Sequence, residues 1–306
     1  MARILVTHQL PAGGLDPLAG HEIDQRAGDW YDGLPGADAI VSLLTAKLDD
    51  AALDAAPHLR VIGNVAVGYD NVDVPAAARR GIAVCNTPGV LDDTTADLAI
   101  ALMLSAARRM SEAERDLRAD RWPGWDISQY LGQDVHGAAL GLVGYGRIGR
   151  AVARRAGGFE MTVRHHTRSD TGEPGWTGEL DDLLTGSDFV SLHVPLTPQT
   201  RHLIGAREID LMKPTAILVN TARGPVVDEA ALADALHNGD IFAAGLDVYE
   251  NEPDLHPRLR DAPRTVLLPH IGSGSVATRT AMARLAAEGV RAVLAGERPA
   301  NLVSRE

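Results

Sequence analysis

The chain of 306 residues contains a single cysteine, Cys85, so no intrachain disulfide can form. That fits a reducing compartment. Cys85 closes the strand-like run Ile82-Ala83-Val84-Cys85 with no base near it in sequence, and reads as a small core residue rather than a nucleophile. Long apolar runs are also missing. The longest uncharged one, Leu98 to Ala107, falls well short of a membrane span. The opening Met1-Ala2-Arg3-Ile4-Leu5-Val6-Thr7 holds too short an apolar stretch for a secretory signal. Positive charge is in deficit: 29 Lys and Arg stand against 41 Asp and Glu, a formal net charge of −12. Such a balance argues against nucleic acid or an anionic membrane as partner. It also requires that any anionic cofactor be held by a local positive feature. No internal repeat or low-complexity tract is present. A cytoplasmic protein of about two domains is expected.

What the chain does have is alternation. Short apolar runs separated by helical patterns are the mark of parallel α/β sheets. Strands are predicted at Arg3–Thr7, Ala39–Leu44, Arg60–Val65 and Ile82–Cys85, then at Ala138–Val143, Met161–His166, Phe189–His193, Ala216–Asn220, Ala243–Val248 and Thr265–Leu268. Helices are predicted at Asp93–Arg108, Arg147–Ala156, Asp228–His237 (stopped by Asn238-Gly239) and from about Val276 to Leu294. Arg121–Gln133, with its Gly, Trp and Pro, reads as an irregular excursion.

The most informative stretch is Ala139-Leu140-Gly141-Leu142-Val143-Gly144-Tyr145-Gly146-Arg147-Ile148-Gly149-Arg150. A buried strand runs into Gly-x-Gly-x-x-Gly and then into helix, the context a dinucleotide fingerprint requires. Gly144 permits the tight turn, Gly146 lets a pyrophosphate approach the backbone, and Gly149 lets helix and strand pack closely. The helix N-terminus beginning at Arg147 and Ile148 offers N–H groups and a positive dipole end. The fingerprint sits mid-chain, so a complete α/β unit precedes it. An NAD-selective site usually carries an acid at the end of the next strand, about 20 residues on. Here that position is Thr167, followed by Arg168. A hydroxyl beside a guanidinium suits a 2′-phosphate and favours NADP; a one-turn shift presenting Asp170 to the ribose would restore NAD. His165 and His166 point to opposite faces of a strand and cannot chelate one ion, so no metal is expected.

Six ordered words now carry a resemblance. They are Val67-Gly68-Tyr69-Asp70-Asn71-Val72-Asp73, the glycine fingerprint, His193-Val194-Pro195-Leu196-Thr197, Asn220-Thr221-Ala222-Arg223-Gly224, Gly245-Leu246-Asp247-Val248-Tyr249-Glu250 with Glu252-Pro253, and Pro269-His270-Ile271-Gly272-Ser273. From about residue 40 to 285 the chain resembles the D-isomer-specific 2-hydroxyacid dehydrogenases, in particular glyoxylate/hydroxypyruvate reductase-like members. The resemblance implies an α/β fold of two doubly wound parallel-sheet domains. A Rossmann dinucleotide-binding domain (97–276) would be inserted into a flavodoxin-like substrate domain (1–96 and 277–306). It implies the catalytic set Arg223, Glu252 and His270. An arginine fork can clamp a substrate carboxylate and polarise its carbonyl. An imidazole can give and take the proton, and a neighbouring carboxylate orients the ring and favours its charged form. Taken singly, Arg223 could cap a turn, Glu252 could sit in a solvated loop and His270 could be a satisfied loop histidine.

Further implied are substrate contacts from backbone N–H groups at Val67 and Gly68, beside Arg223 and His270. Cofactor contacts are implied at Gly144, Gly146, Arg147, Ile148, Gly149, Thr167, Arg168, Pro195, Thr200, Thr221, Ala222, Asp247 and Gly272. His193 reads as mainly structural. Asn64 stands where relatives acting on phosphorylated acids usually carry arginine, which favours a small 2-oxo acid such as glyoxylate or hydroxypyruvate. Alternatives are a D-3-phosphoglycerate or D-lactate type dehydrogenase, oxidation of a donor such as formate or phosphite, or a dinucleotide-sensing, corepressor-like binding protein. Trp122 and Trp125 could wall a pocket or pack a dimer, and the resemblance implies a homodimer.

Overall fold

The computed structural model describes residues 1–303. The chain forms two compact units, one from Met1–Leu91 with the segment from Ser273 onward and one from Asp92–Gly272. The divisions fall a few residues before the 96/97 and 276/277 read from sequence. Each coincides with the approach to a long helix, at Asp92–Ala107 and Val276–Leu294.

The first unit is built on strands β1 (Arg3–Val6), β2 (Glu22–Gln25), β3 (Ala39–Ser42), β4 (Val61–Asn64) and β5 (Ala83–Cys85). They are all parallel, in the order β2-β1-β3-β4-β5. That is the flavodoxin-like order. β3 and β4 are buried along their whole length, as strands covered on both faces must be. Helix Val276–Leu294 covers one face. Ser275 caps it, its hydroxyl accepting from Thr278 N at 3.1 Å. Met282, Ala283, Ala286, Ala287 and Val290 recur at helical spacing and are buried. Contact with β4 is close enough that a Cβ on Gly63 would lie 2.8 Å from Ala286 O. Cys85 is fully buried, and burial pushes its thiol up to about 12, so it is a packed core residue.

The second unit carries β6 (Ala139–Val143), β7 (Thr162–His166), β8 (Trp176–Thr177), β9 (Phe189–Leu192), β10 (Ile217–Asn220), β11 (Ala243–Leu246) and β12 (Thr265–Leu267). They pair in parallel in the order β12-β11-β10-β9-β6-β7-β8. Read from β8, this is the doubly wound dinucleotide-binding arrangement with one strand added, and the order reverses between β6 and β9. β9, β10 and β11 are buried throughout, so their near-continuous apolar runs are explained by cover on both faces. Helix Asp92–Ala107 packs on β10, β11 and β12 through Ala99, Leu102, Met103 and Ala106. Its alanines let it lie low on the sheet.

β2 and β8 escape a pattern reading. β2 is Glu-Ile-Asp-Gln on the outer edge of its sheet and mostly exposed; β8 has two residues. Both exist through backbone pairing to a neighbour, which leaves no hydrophobic alternation. Arg121–Gln133 contains neither helix nor strand.

Candidate active site

In open parallel sheets ligands gather beyond the carboxyl ends of the strands, and most of the candidate residues lie there in the second unit. Gly144, Gly146, Arg147, Ile148 and Gly149 follow β6. Thr167 and Arg168 follow β7, and Pro195 and Thr200 follow β9. Thr221, Ala222 and Arg223 follow β10, Asp247 and Glu252 follow β11, and His270 and Gly272 follow β12. Val67 and Gly68 follow β4 of the first unit.

The fingerprint glycines have separable reasons. Gly144 has φ +95°, and a Cβ there would lie 2.7 Å from the His193 carbonyl carbon. A Cβ on Gly149 would meet Gly144 O at 2.4 Å. Gly146 has no protein atom within 4 Å of where its Cβ would point, so open space lies over its backbone. It N-caps helix Arg147–Ala156 without a side-chain cap. Beyond the end of β10, the buried hydroxyl of Thr221 has no hydrogen-bond partner among the described residues. Open space over a glycine, an uncapped helix N-terminus and an unpartnered buried hydroxyl fit a dinucleotide bearing phosphates and polar ring substituents.

Several other side chains are committed to the protein itself. Thr200 Oγ1 donates to Pro195 O at 2.6 Å, closing its own loop. Thr167 Oγ1 donates to Ser169 O at 2.7 Å, so it shapes the turn after β7, while Arg168 is exposed. His193 shares a hydrogen bond with Ser191 Oγ at 2.9 Å, and burial lowers its pKa, keeping the ring neutral. His165 and His166 face different partners. His165 stacks on Tyr145 at 3.7 Å and bonds Thr171 Oγ1 at 2.8 Å, whereas His166 Nδ1 lies 3.0 Å from Thr177 O.

At the other end of the strand series, His270 Nδ1 lies 2.8 Å from Glu252 Oε2. Glu252 Oε1 accepts from Tyr249 N at 3.0 Å. Burial pushes the Glu252 carboxyl up. The His270 hydrogen bond and charge, the Tyr249 N–H and the Arg223 guanidinium together outweigh it and hold the carboxyl below its ordinary value. Glu252 is therefore a carboxylate at neutral pH, which makes Nδ1 of His270 the protonated nitrogen and leaves Nε2 for chemistry.

His270 is held through its backbone. It has φ +53°, in the left-handed region, and its N–H donates to Asp247 O at 2.9 Å. Asp247 is 1% exposed, and its two carboxylate oxygens accept from Ile271 N and Gly272 N, both at 2.7 Å. Burial raises the Asp247 pKa, while those N–H groups and His270 oppose the rise. A Cβ on Gly272 would stand 3.2 Å from Asp247 Oδ2, so that glycine keeps the carboxylate seated. Asp247 thus fixes the His270 loop.

Arg223 is positioned by residues that stand in the same sequence words but to which the sequence assigns no role. Asn220 Oδ1 accepts from Ala222 N at 3.0 Å and its Nδ2 donates to Arg223 O at 2.9 Å, which shapes the turn that presents Arg223. An asparagine at a strand end before a turn is the local signal for this. Gly224 lies so close to the next loop that a Cβ would fall 1.8 Å from Tyr249 C. Tyr249 Oη donates to Leu268 O at 2.9 Å and joins the ends of β11 and β12. No sequence pattern marks that contact.

The fold and site define a nicotinamide-dependent oxidoreductase scaffold with an arginine, a histidine and a carboxylate beyond the strand ends. The sequence model of the family described as "D-isomer specific 2-hydroxyacid dehydrogenase, NAD binding domain" matches residues 100–272. A glyoxylate reductase from Korarchaeum cryptofilum is 48% identical, over 99% of this chain and 96% of its own. Among solved structures, a Thermus thermophilus protein superposes with a TM-score of 0.93 at 43% identity, covering 99% of this chain and 100% of that one. An NADPH-dependent glyoxylate/hydroxypyruvate reductase from Sinorhizobium meliloti, in complex with NADP and malonate, superposes with a TM-score of 0.89 at 36% identity, covering 99% and 97%. The chain belongs to the D-isomer-specific 2-hydroxyacid dehydrogenase family.

Proposed function

We propose that this protein reduces small unphosphorylated 2-oxo acids, glyoxylate first and hydroxypyruvate with it, to the 2-hydroxy acids, and prefers NADPH. The observation that carries the chemistry is the 2.8 Å contact between His270 Nδ1 and Glu252, on a loop pinned by Asp247. The reduced nicotinamide supplies the hydride to the substrate carbonyl carbon when bound. Arg223 binds the substrate carboxylate and polarises the carbonyl oxygen. His270 gives the proton on Nε2 to that oxygen as the carbonyl becomes a hydroxyl, and takes it back in the reverse direction. The Glu252 carboxylate stabilises the imidazolium before transfer and keeps the ring oriented afterwards. The Val67 and Gly68 amides take a substrate carboxylate.

The cofactor's pyrophosphate is assigned to the amides at Gly146, Arg147 and Ile148. Arg168, exposed and with no carboxylate at the preceding position, is assigned to the 2′-phosphate. The glyoxylate reductase names of the relatives and the small Asn64 support a small substrate. A homodimer is proposed through the segment carrying Met110, Leu117, Trp122, Trp125, Ile127 and Leu131, all large apolar side chains at least half exposed. A cytoplasmic location goes with it.

Initial rates of NADPH and NADH oxidation with glyoxylate, hydroxypyruvate, pyruvate and 3-phosphohydroxypyruvate offered separately test this assignment. Fastest turnover is expected with NADPH and one of the first two acids. A preference for the phosphorylated acid, or for NADH, would refute the corresponding half.

A further inference from the structure

The loop after β4 has an unusual division of labour between its carbonyl and N–H groups. Thr87 N donates to Ala66 O at 2.9 Å. Asn86 Nδ2 donates to Val67 O at 2.8 Å, and Asn64 Nδ2 donates to Gly68 O at 3.0 Å. Three consecutive carbonyls are therefore held by the protein. The N–H groups of Val67, Gly68 and Tyr69 donate to no protein atom among the described residues. In a planar trans peptide the C=O of one residue and the N–H of the next point in opposite directions. Fixing Ala66 O aims the Val67 N–H away from the protein; fixing Val67 O does so for Gly68, and fixing Gly68 O for Tyr69.

The two asparagines are themselves braced. Asn64 is fully buried. Its Oδ1 accepts from Ser42 Oγ at 3.0 Å, and its amide exchanges hydrogen bonds with Asn71 at 3.1 Å. Asn71 in turn donates to Ala46 O at 3.0 Å. Asn86 is anchored by its main chain: its N–H donates to Asn301 O at 3.1 Å, and its carbonyl accepts from Asn301 Nδ2 at 2.8 Å. The Asn86 side chain is left to act on Val67 O. An arrangement that spends three buried or half-buried amide groups on carbonyls, and leaves a row of N–H groups open, is built to receive an anion.

We propose that Asn86 and Asn64 are positioning residues for carboxylate binding: by holding the Val67 and Gly68 carbonyls they aim the loop's N–H groups at the substrate carboxylate. The proposal rests on the assignment of Val67 and Gly68 to that carboxylate. It also gives Asn64 a reason of its own, since its amide is consumed in orienting the loop. The remote Asn301 becomes part of the substrate apparatus through Asn86.

The test is Asn86→Ala in the full-length enzyme, which removes the side-chain bond to Val67 O and keeps the main-chain anchors to Asn301. KM for glyoxylate and the inhibition constant of oxamate should both rise roughly three- to tenfold, the loss of one neutral hydrogen bond's orienting effect. kcat should stay within about twofold and NADPH affinity should be unchanged, a split that general loosening of the fold would not give. Wild-type KM and oxamate inhibition in the variant, or an equal loss of NADPH affinity, would overturn it. A second measurement needs no variant: in 15N-glycine-labelled wild-type enzyme with NADPH, oxamate should shift the Gly68 amide resonance, and an unmoved resonance at saturation would overturn the proposal. Wild-type turnover of glyoxylate is read in the same series. Its absence would refute glyoxylate as substrate, while oxamate, which needs no turnover, still decides the role of the loop.

Discussion

Gly224→Ala isolates the packing that brings Arg223 to its place. The added Cβ would stand 1.8 Å from Tyr249 C, 2.0 Å from Tyr249 O and 2.4 Å from Glu250 N. Carbon atoms rest at about 3.5–4.0 Å, so the Arg223 loop and the Tyr249–Glu252 loop must part by roughly 2 Å. The obstacle is backbone, held by the Tyr249 N–H on Glu252 and the Tyr249 hydroxyl on Leu268 O, so no side chain can swing aside. Overpacking of this kind costs about 1–3 kcal/mol. At about 2–4 °C per kcal/mol for a unit of this size, the melting temperature should drop by roughly 2–12 °C. The catalytic effect should be larger. A catalytic group misplaced by about 1 Å can cost about a hundredfold in rate, so kcat/KM for glyoxylate should fall by about that factor with NADPH affinity little changed. Melting by calorimetry, dinucleotide titration by fluorescence and initial rates on one preparation are the assays. A variant with wild-type melting temperature and wild-type kcat/KM would refute the claim that Gly224 sets the approach of these loops.

Three further outcomes are expected. Arg168→Ala should raise the dissociation constant for NADPH much more than that for NADH; an equal change would mean that Arg168 does not meet the 2′-phosphate. Asp188 ties the start of β6 to Lys213, accepting from Ala139 N at 2.9 Å and from Lys213 Nζ at 2.7 Å. Burial raises its carboxyl, but Lys213 and the Ala139 N–H pull it below its ordinary value. A depressed folded value gives stability that is present above the unfolded value and lost as the pH falls through the folded one. Asp188→Asn should therefore melt lower than wild type at pH 7, with the gap closing on acidification below the ordinary carboxylate range, and a pH-independent gap would contradict the ion pair. For the dimer, Trp125→Ser should shift sedimentation toward monomer at low concentration, and a wild type that sediments as a monomer would refute the proposed face.

How much of this was legible in the chain follows from how each feature is specified. The buried strands could be read because two covered faces demand continuous apolar runs, as in Ile217-Leu218-Val219. Helix Arg147–Ala156 was legible at both its ends, since the fingerprint starts it. β2 and β8 were not, because an edge strand is held by its neighbour's backbone and needs no apolar face. Among site residues, local words pointed to Arg223, Glu252 and His270, whose contact spans 18 positions between Glu252 and His270. The parts that fix them were out of reach. The Gly224 approach to Tyr249, the Tyr249 bond to Leu268 and the Asn301 brace on Asn86 join segments distant in sequence, and no spacing rule connects them. Thr167 and Thr200 show the converse. Hydroxyls at cofactor-like positions are engaged in their own turns, an engagement set by the folded loop and not by the sequence pattern.

The central claim is that His270, oriented by Glu252, moves the proton while dinucleotide binding is handled elsewhere in the unit. It is tested most directly by comparing wild type and His270→Ala in glyoxylate-dependent NADPH oxidation, with NADPH binding measured in parallel. Wild type should turn over, and the variant should lose about 10²–10⁴-fold in kcat while binding NADPH with unchanged affinity. A variant that retains wild-type kcat, or one that loses NADPH binding in proportion to rate, would contradict the account.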